Sequence, residues 1–235
     1  MRVFCFPHAG AGALQFRCWR MPGLDAVPIP LPGRENRFSE LPHRHWDTLL
    51  RDIISFIEPR LDTPFAFFGH SMGALVAFET ARELRRRRSP LPDRIFVSSF
   101  RAPHLPDRNL RLHGLPDNLL KSELARLNGM PTEILSRPEL VDPLLATLRA
   151  DMEIVEIYKY KAEPPLHCGL TCFGGLTDSR VSRLELAGWR QHARGNFRLH
   201  MFPGGHFYLY KMPVLVQRAI CADLGLPVPC SNPTS

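Results

Sequence analysis

The sequence predicts an α/β fold built on a mostly parallel sheet with helices on both faces. Three observations carry that prediction. Six short apolar runs recur along the chain, most of them closed by glycine or proline, and near-continuous apolarity over strand length marks strands covered on both faces. Helical patterning fills the intervals between them, the alternation expected of βαβ units. A length of 235 residues with 44% hydrophobic content suits one large domain better than two small ones.

In chain order, "RVFCFP" reads as the first strand and "VPIPLP" as the second. A helix is expected around 44–60, then the strand "PFAFFG", a helix around 72–86 and the strand "RIFVSSF". The interval from there to the strand "GLTCFGG" has helical patterning but no good strand. It is too long for a crossover helix alone and reads as a lid or small cap. Within it, Asp117 is placed to N-cap a helix over 117–128 that Gly129 and Pro131 can end. A second helix over 138–158 sets Leu144, Leu148, Met152 and Val155 on one face, suited to packing inward. A helix around 181–193, the strand "FRLHMFP" and a helix around 212–224 complete the order. The tail "PVPCSNPTS" carries three prolines and little to bury, so disorder is expected there. No internal repeat is present.

The net charge of +7 and pI near 9.4 raise the question of an acidic partner. Nucleic acid is not expected, because no helix-turn-helix, RNP or zinc-finger pattern accompanies the charge. The arginines are scattered apart from Arg85 to Arg88. That run closes the 72–86 helix, where cations suit the dipole; the sharper reading is a docking surface for an acidic protein. No stretch of 18 apolar residues suggests a membrane span, and "MRVFCFPHAG" does not have the form of a signal peptide. The six cysteines, Cys5, Cys18, Cys168, Cys172, Cys221 and Cys230, form no CxxC pair. A reduced, cytoplasmic chain with neither cofactor nor structural metal is therefore expected.

Gly69-His70-Ser71-Met72-Gly73 fits G-x-S-x-G directly after an apolar strand and directly before a helical run. A nucleophile on such a turn is strained, and the flanking glycines leave room where side chains would collide. The helix start then aims free N–H groups at the reacting centre. A capping serine is the alternative, but capping explains neither glycine. A serine needs a base, and the base an orienting acid. Of ten histidines, His206 follows a strand and a Pro-Gly-Gly turn, which suits presentation at a strand's C-terminal end. His70 should point away from the serine, His200 lies inside a strand, and His43, His45, His104, His113, His167 and His192 occupy no special turn. Asp178, just past "GLTCFGG", is the candidate acid. Asp107, Asp142 and Asp151 lie inside the excursion, where solvated or capping roles are the default. Oxyanion donors are expected at the Met72 and Ala9 N–H groups, the latter in "CFPHAGAGA" after the first strand. That loop has neither GxGxxG nor GK[ST], so a phosphate loop is a weaker reading. His8 beside it reads as a pocket wall or structural residue.

With these pieces in place the chain resembles the type II thioesterases of polyketide and nonribosomal peptide synthesis, related to thioesterase II of fatty acid synthesis. The matching segments are "FPHAGAGA", "LPGRENRFSE", "PFAFFGHSMGALVAFE", "RAP", "LTCFGGLTD" and "FPGGHFYL", in order across residues 4–209. Two departures stand out: Gly10-Ala11 where the family often has a double glycine, and Ser179 where a proline often follows the acid. The resemblance implies an α/β-hydrolase fold over 1–226, a helical lid at about 104–160 and a tail at 227–235. It also implies a Ser71–His206–Asp178 acyl-enzyme mechanism and hydrolysis of acyl groups from the phosphopantetheine arm of acyl or peptidyl carrier proteins. The enzyme would be a monomer with no nucleic-acid or membrane partner. The rivals are a general carboxylesterase, an acyltransferase or cyclising release enzyme, and a non-catalytic carrier-binding protein. Acyl length and pathway are not legible.

Overall fold

A computed structural model describes residues 1–127 and 137–228. Six strands, β1 (Arg2–Phe6), β2 (Asp25–Pro28), β3 (Phe65–His70), β4 (Arg94–Ser98), β5 (Gly169–Gly175) and β6 (Phe197–Phe202), form one sheet. Their order is β2-β1-β3-β4-β5-β6 and every neighbouring pair is parallel. The helices are α1 (Trp46–Ile57), α2 (Met72–Arg86), α3 (Asp117–Arg126), α4 (Pro138–Glu156), α5 (Arg183–Ala187), α6 (Tyr208–Lys211) and α7 (Pro213–Asp223). Among the described residues no helix is long and apolar enough to cross a membrane.

Strand side chains alternate between two faces, and both faces are buried. Phe4, Phe67, Ile95 and Cys172 pack with Leu49, Ile53 and Ile57 of α1 and with Leu75 and Phe78 of α2. Cys5, Phe68, Phe96 and Phe173 pack on the opposite face with Val216, Ile220 and Cys221 of α7. All six residues of β3 are buried, which is why that strand shows no polar alternation.

Three local expectations are revised. β2 ends at Pro28, earlier than "VPIPLP" suggested; Pro30 and Pro32 have no N–H to give a ladder, and only Ile29 N–H extends it, donating to Cys5 O at 2.9 Å. Asp117 is the first residue of α3, with Pro116 at the cap position, and its carboxylate accepts from Arg149 instead. The 181–193 segment splits into α5, closed at its start by a Ser182–Glu185 capping box, and a 3-10 turn over Gly188–His192. The charge run closes α2, as its pattern suggested. Arg85 and Arg86 pair with Glu163, and Arg86 and Arg87 with Glu83. Arg85, Arg86 and Arg87 are thus ion-paired within the chain, and α2's length places them about 22 Å from Ser71. Gly129 and Pro131, Cys230 and most of the expected tail lie outside the described residues.

Parallel topology puts all strand C-termini at one edge of the sheet. The loops after β1, β3, β4, β5 and β6 therefore share that edge. At its centre α2 starts hard against β1: a Cβ on Gly73 would sit 2.1 Å from Phe6 O, and one on Gly69 would sit 2.0 Å from Gly73 O. Both obstacles are backbone and cannot rotate away. Gly73→Ala is accordingly expected to destabilise the protein by about 3 kcal/mol or more, the upper end of overpacking costs. A denaturant titration measures it, and a loss below about 1 kcal/mol would contradict this packing.

Candidate active site

Ser71 occupies the junction between β3 and α2 at φ 53° and ψ −121°. For a residue with a side chain such a backbone costs on the order of 1–3 kcal/mol and survives only where its surroundings over-determine it. Here the Ser71 N–H donates to Ser98 O at 2.8 Å, and Ser71 O accepts from Ala74 N–H at 2.9 Å. The turn raises the hydroxyl above the sheet edge. Ser71 Oγ lies 3.0 Å from His206 Nε2, and His206 Nδ1 lies 2.9 Å from Asp178 Oδ2. The carboxylate can only accept, so it fixes the proton on Nδ1 and leaves Nε2 free to take one from the serine. Burial works to raise the Asp178 carboxyl. Hydrogen bonds from His206 and the Arg180 N–H outweigh burial and hold it below the usual carboxylate range. The three residues singled out from the sequence thus form one continuous hydrogen-bonded chain.

The loop after β1 faces this chain. Ala9, Met72, Ser71 and His206 all line one cavity. Neither the Ala9 nor the Met72 N–H donates to another protein group among the described residues. The loop's shape is set by the "LPGRENR" segment. Arg34 donates to Ala11 O at 2.9 Å and to both oxygens of Asp151 at 2.7 and 2.9 Å. Glu35 accepts from the Ala13 and Leu14 N–H groups at 2.9 and 2.8 Å. Arg37 donates to Pro30 O and Asp52, both at 2.8 Å. Asp151 is therefore neither solvated nor a cap: it is buried, and it also accepts from Gly10 N–H at 2.8 Å. The pattern missed it because a mid-helix aspartate looks solvent-facing until its partner, here 117 positions away, is known.

Leu144, Leu148, Met152 and Val155 line the cavity together, with Leu145 beside them and Leu124 contributed by α3. Arg101 of "RAP" stands in the same wall, 3.3 Å from Asp107. His8 is a wall residue: its Nε2 lies 2.6 Å from the Tyr210 hydroxyl, which also lines the cavity. His70 turns away from the serine, with Nδ1 2.8 Å from Ser98 Oγ, which in turn meets the Tyr208 hydroxyl at 2.7 Å. Its ring packs behind His206, with centroids 5.4 Å apart. Phe207, which lines the cavity, and Tyr208 are thus the second and third contributions of "GGHFYL" to the site, and Tyr210 follows directly after it. His104 and His192 pair with each other at 2.8 Å, away from this chain of residues. No group of three or more metal-ligating side chains occurs among the described residues.

Residues 1–223 match the family described as thioesterase domain. The gramicidin S biosynthesis protein GrsT of Aneurinibacillus migulanus is 38% identical over 229 residues, covering 96% of this chain and 90% of that protein. Linear gramicidin dehydrogenase LgrE of Brevibacillus parabrevis is 42% identical over 214 residues, covering 88% and 81%. Among solved structures, the RedJ thioesterase of the prodiginine pathway in Streptomyces coelicolor superposes with a TM-score of 0.88 at 36% identity, over 96% of this chain and 89% of that one.

Two buried histidines beside the serine give the site a measurable acid signature. Burial lowers His8 to about 4, and lowers His70 well below the ordinary histidine value of 6.5. Between those limits the unfolded chain binds protons that the folded chain refuses. This stability is fully present above about pH 6.5 and is lost as pH falls towards 4. The melting temperature is expected to drop across that window, and His8→Gln to shallow the slope by about one proton. An unchanged slope in that variant would refute the buried neutral state.

Proposed function

The chain belongs to the thioesterase domain family, and from that premise we propose that it hydrolyses acyl thioesters carried on the phosphopantetheine arm of acyl or peptidyl carrier proteins. The observation that supports this best is the continuous chain Ser71–His206–Asp178 beside an apolar cavity. Ser71 Oγ attacks the thioester carbonyl while His206 Nε2 takes the hydroxyl proton. Asp178 holds the imidazole's tautomer and stabilises the imidazolium as it forms. The Ala9 and Met72 N–H groups receive the oxyanion. Collapse of the tetrahedral intermediate breaks the C–S bond and His206 returns the proton to the departing thiol. Water then attacks the acyl-serine by the same route, and the products are the free acid and the regenerated serine.

The excursion at about 104–160 serves as the lid of a single domain spanning 1–226. Its leucines, with Met152 and Val155, take the acyl chain. At about 190 Å³ the cavity lies below the range of drug-sized pockets, which supports a slender acyl arm. The carrier docks at the sheet edge that holds Ser71, and the ion-paired Arg85, Arg86 and Arg87 at the other edge have no part in docking. The protein works as a cytoplasmic monomer. LgrE's name suggests a dehydrogenase, but the loop after β1 lacks GxGxxG and gives that reading no support. A general carboxylesterase would use the same three residues.

The test is a panel of acyl chains loaded on carrier protein, followed by intact-protein mass spectrometry with and without the enzyme. Loss of the acyl mass with release of free acid is expected, at rates well above those for soluble esters of the same acid. Equal rates on both would favour the esterase, and transfer to an alcohol or amine would favour an acyltransferase. Ser71→Ala is expected to lower kcat by at least about 10⁴-fold and Asp178→Asn by about 10³–10⁴-fold. Neutralising Arg86, Arg87 and Arg88 together should leave carrier-bound turnover within about twofold, since the end of α2 lies about 22 Å from Ser71.

A further inference from the structure

Asp151 stands in the middle of α4 yet reaches the loop after β1. Its Oδ2 accepts from Gly10 N–H at 2.8 Å and from Arg34 Nη1 at 2.7 Å, and its Oδ1 accepts from Arg34 Nη2 at 2.9 Å. Both side chains are only about 5% exposed. The peptide joining Ala9 to Gly10 is thereby held at both ends: Asp151 takes its N–H, and His8 Nδ1 lies 2.9 Å from its carbonyl. Arg34 also holds the carbonyl two residues on, Ala11 O, at 2.9 Å. Gly10 itself has φ +76° and lies directly on α4, where an added Cβ would come within 3.1 Å of Leu148 Cδ1. That peptide meets the one bearing the Ala9 N–H at the Ala9 Cα, so fixing it narrows the directions in which the Ala9 N–H can point.

A buried ion pair adds little stability over a well-packed apolar pair of the same size, whereas breaking one is costly. Stability alone therefore does not account for a bidentate arginine–carboxylate pair at this point. The backbone it aims does. We propose that Asp151, clamped by Arg34, is a positioning residue that fixes the oxyanion loop from the cavity-forming helix α4. This rests on the reading of Ala9 as an oxyanion donor. Its consequence is that the helix lining the acyl cavity and the N–H group polarising the acyl carbonyl are one mechanical unit. Damage to the clamp lowers the rate of the chemical step and leaves acyl binding alone.

The test compares the full-length wild type with Asp151→Asn and with the double variant R34M/D151L. The double variant removes the pair without leaving an orphan charge, and thermal unfolding checks that each protein is folded. Three quantities are measured: kcat and KM on an acyl N-acetylcysteamine thioester, the rate at which an alkyl fluorophosphonate labels Ser71, and the affinity for an unreactive acyl thioether of the same chain length. In the double variant kcat should fall about 10–100-fold, short of the 10²–10³-fold cost of losing a whole oxyanion donor. Labelling should fall in parallel, with KM and thioether affinity within about threefold of wild type. Asp151→Asn, which keeps one acceptor for Gly10, should lie between the two. A folded double variant with wild-type kcat and labelling overturns the proposal. So does a loss of thioether affinity matching the loss of rate, which marks general damage to the cavity. Should the wild type leave the thioester intact, the thioesterase reading fails, while the labelling rates still decide the role of Asp151.

Discussion

The site depends on one steric constraint, the approach of α2 to the end of β1. With no side chain at Gly73, the helix comes so near Phe6 O that a methyl group there would overlap it at 2.1 Å. That contact fixes where α2 begins and forces the chain to leave β3 through a left-handed residue at Ser71. The strain is small beside the burial that offsets it, since β3 is buried along its whole length. It is held in place by Ser98 O, a backbone atom of the neighbouring strand. Moving α2 by even an ångström would dismantle the geometry of Ser71 relative to His206 and Met72.

The sheet and the hydrogen-bonded chain at Ser71 were legible because local rules govern them. A buried parallel strand must be apolar throughout, so "PFAFFG" and "GLTCFGG" announce themselves. A strained turn needs its glycines, and a base on a strand-end loop follows a recognisable Pro-Gly-Gly. Asp151 and Arg34 were not legible in that way. Their pairing spans 117 positions, and nothing in a helical pattern distinguishes a carboxylate that dives into a protein from one that faces water. The motif containing Arg34 was visible as a segment, but its physical meaning emerges only from what it touches: Arg34 and Glu35 hold the loop after β1, and Arg37 braces the chain just upstream at Pro30. Asp117 failed for a smaller reason, since Pro116 at the cap shifted the helix start by one residue and sent the carboxylate to Arg149.

Formal charge overstates what is free to act at the surface. The formal charge of +7 counts every arginine alike, yet those at the end of α2 are answered by Glu83 and Glu163, and Arg34 is spent inside the molecule. Position along the sheet says more than sign. The edge with the strand C-termini carries the cavity and the reactive groups, and the opposite edge carries the ion-pair network.

The attachment of α4 also determines how the cavity can yield. Its second half is fastened from several directions: Thr147 Oγ1 donates to Gly33 O at 2.9 Å, Asp151 is clamped, and Trp46 Nε1 donates to Ile154 O at 2.9 Å. Its first half meets α3 through Lys121–Asp142, a pair with an exposed carboxylate, as its one ion pair among the described residues. Polar anchoring of α4 is thus concentrated beside the loop after β1, while its first half is held against α3 chiefly by the buried Val141, Leu145, Leu120 and Leu124. One wall of the cavity is therefore fixed by directional bonds and the other by close packing, so a polar substitution disturbs the first and a change of side-chain volume the second.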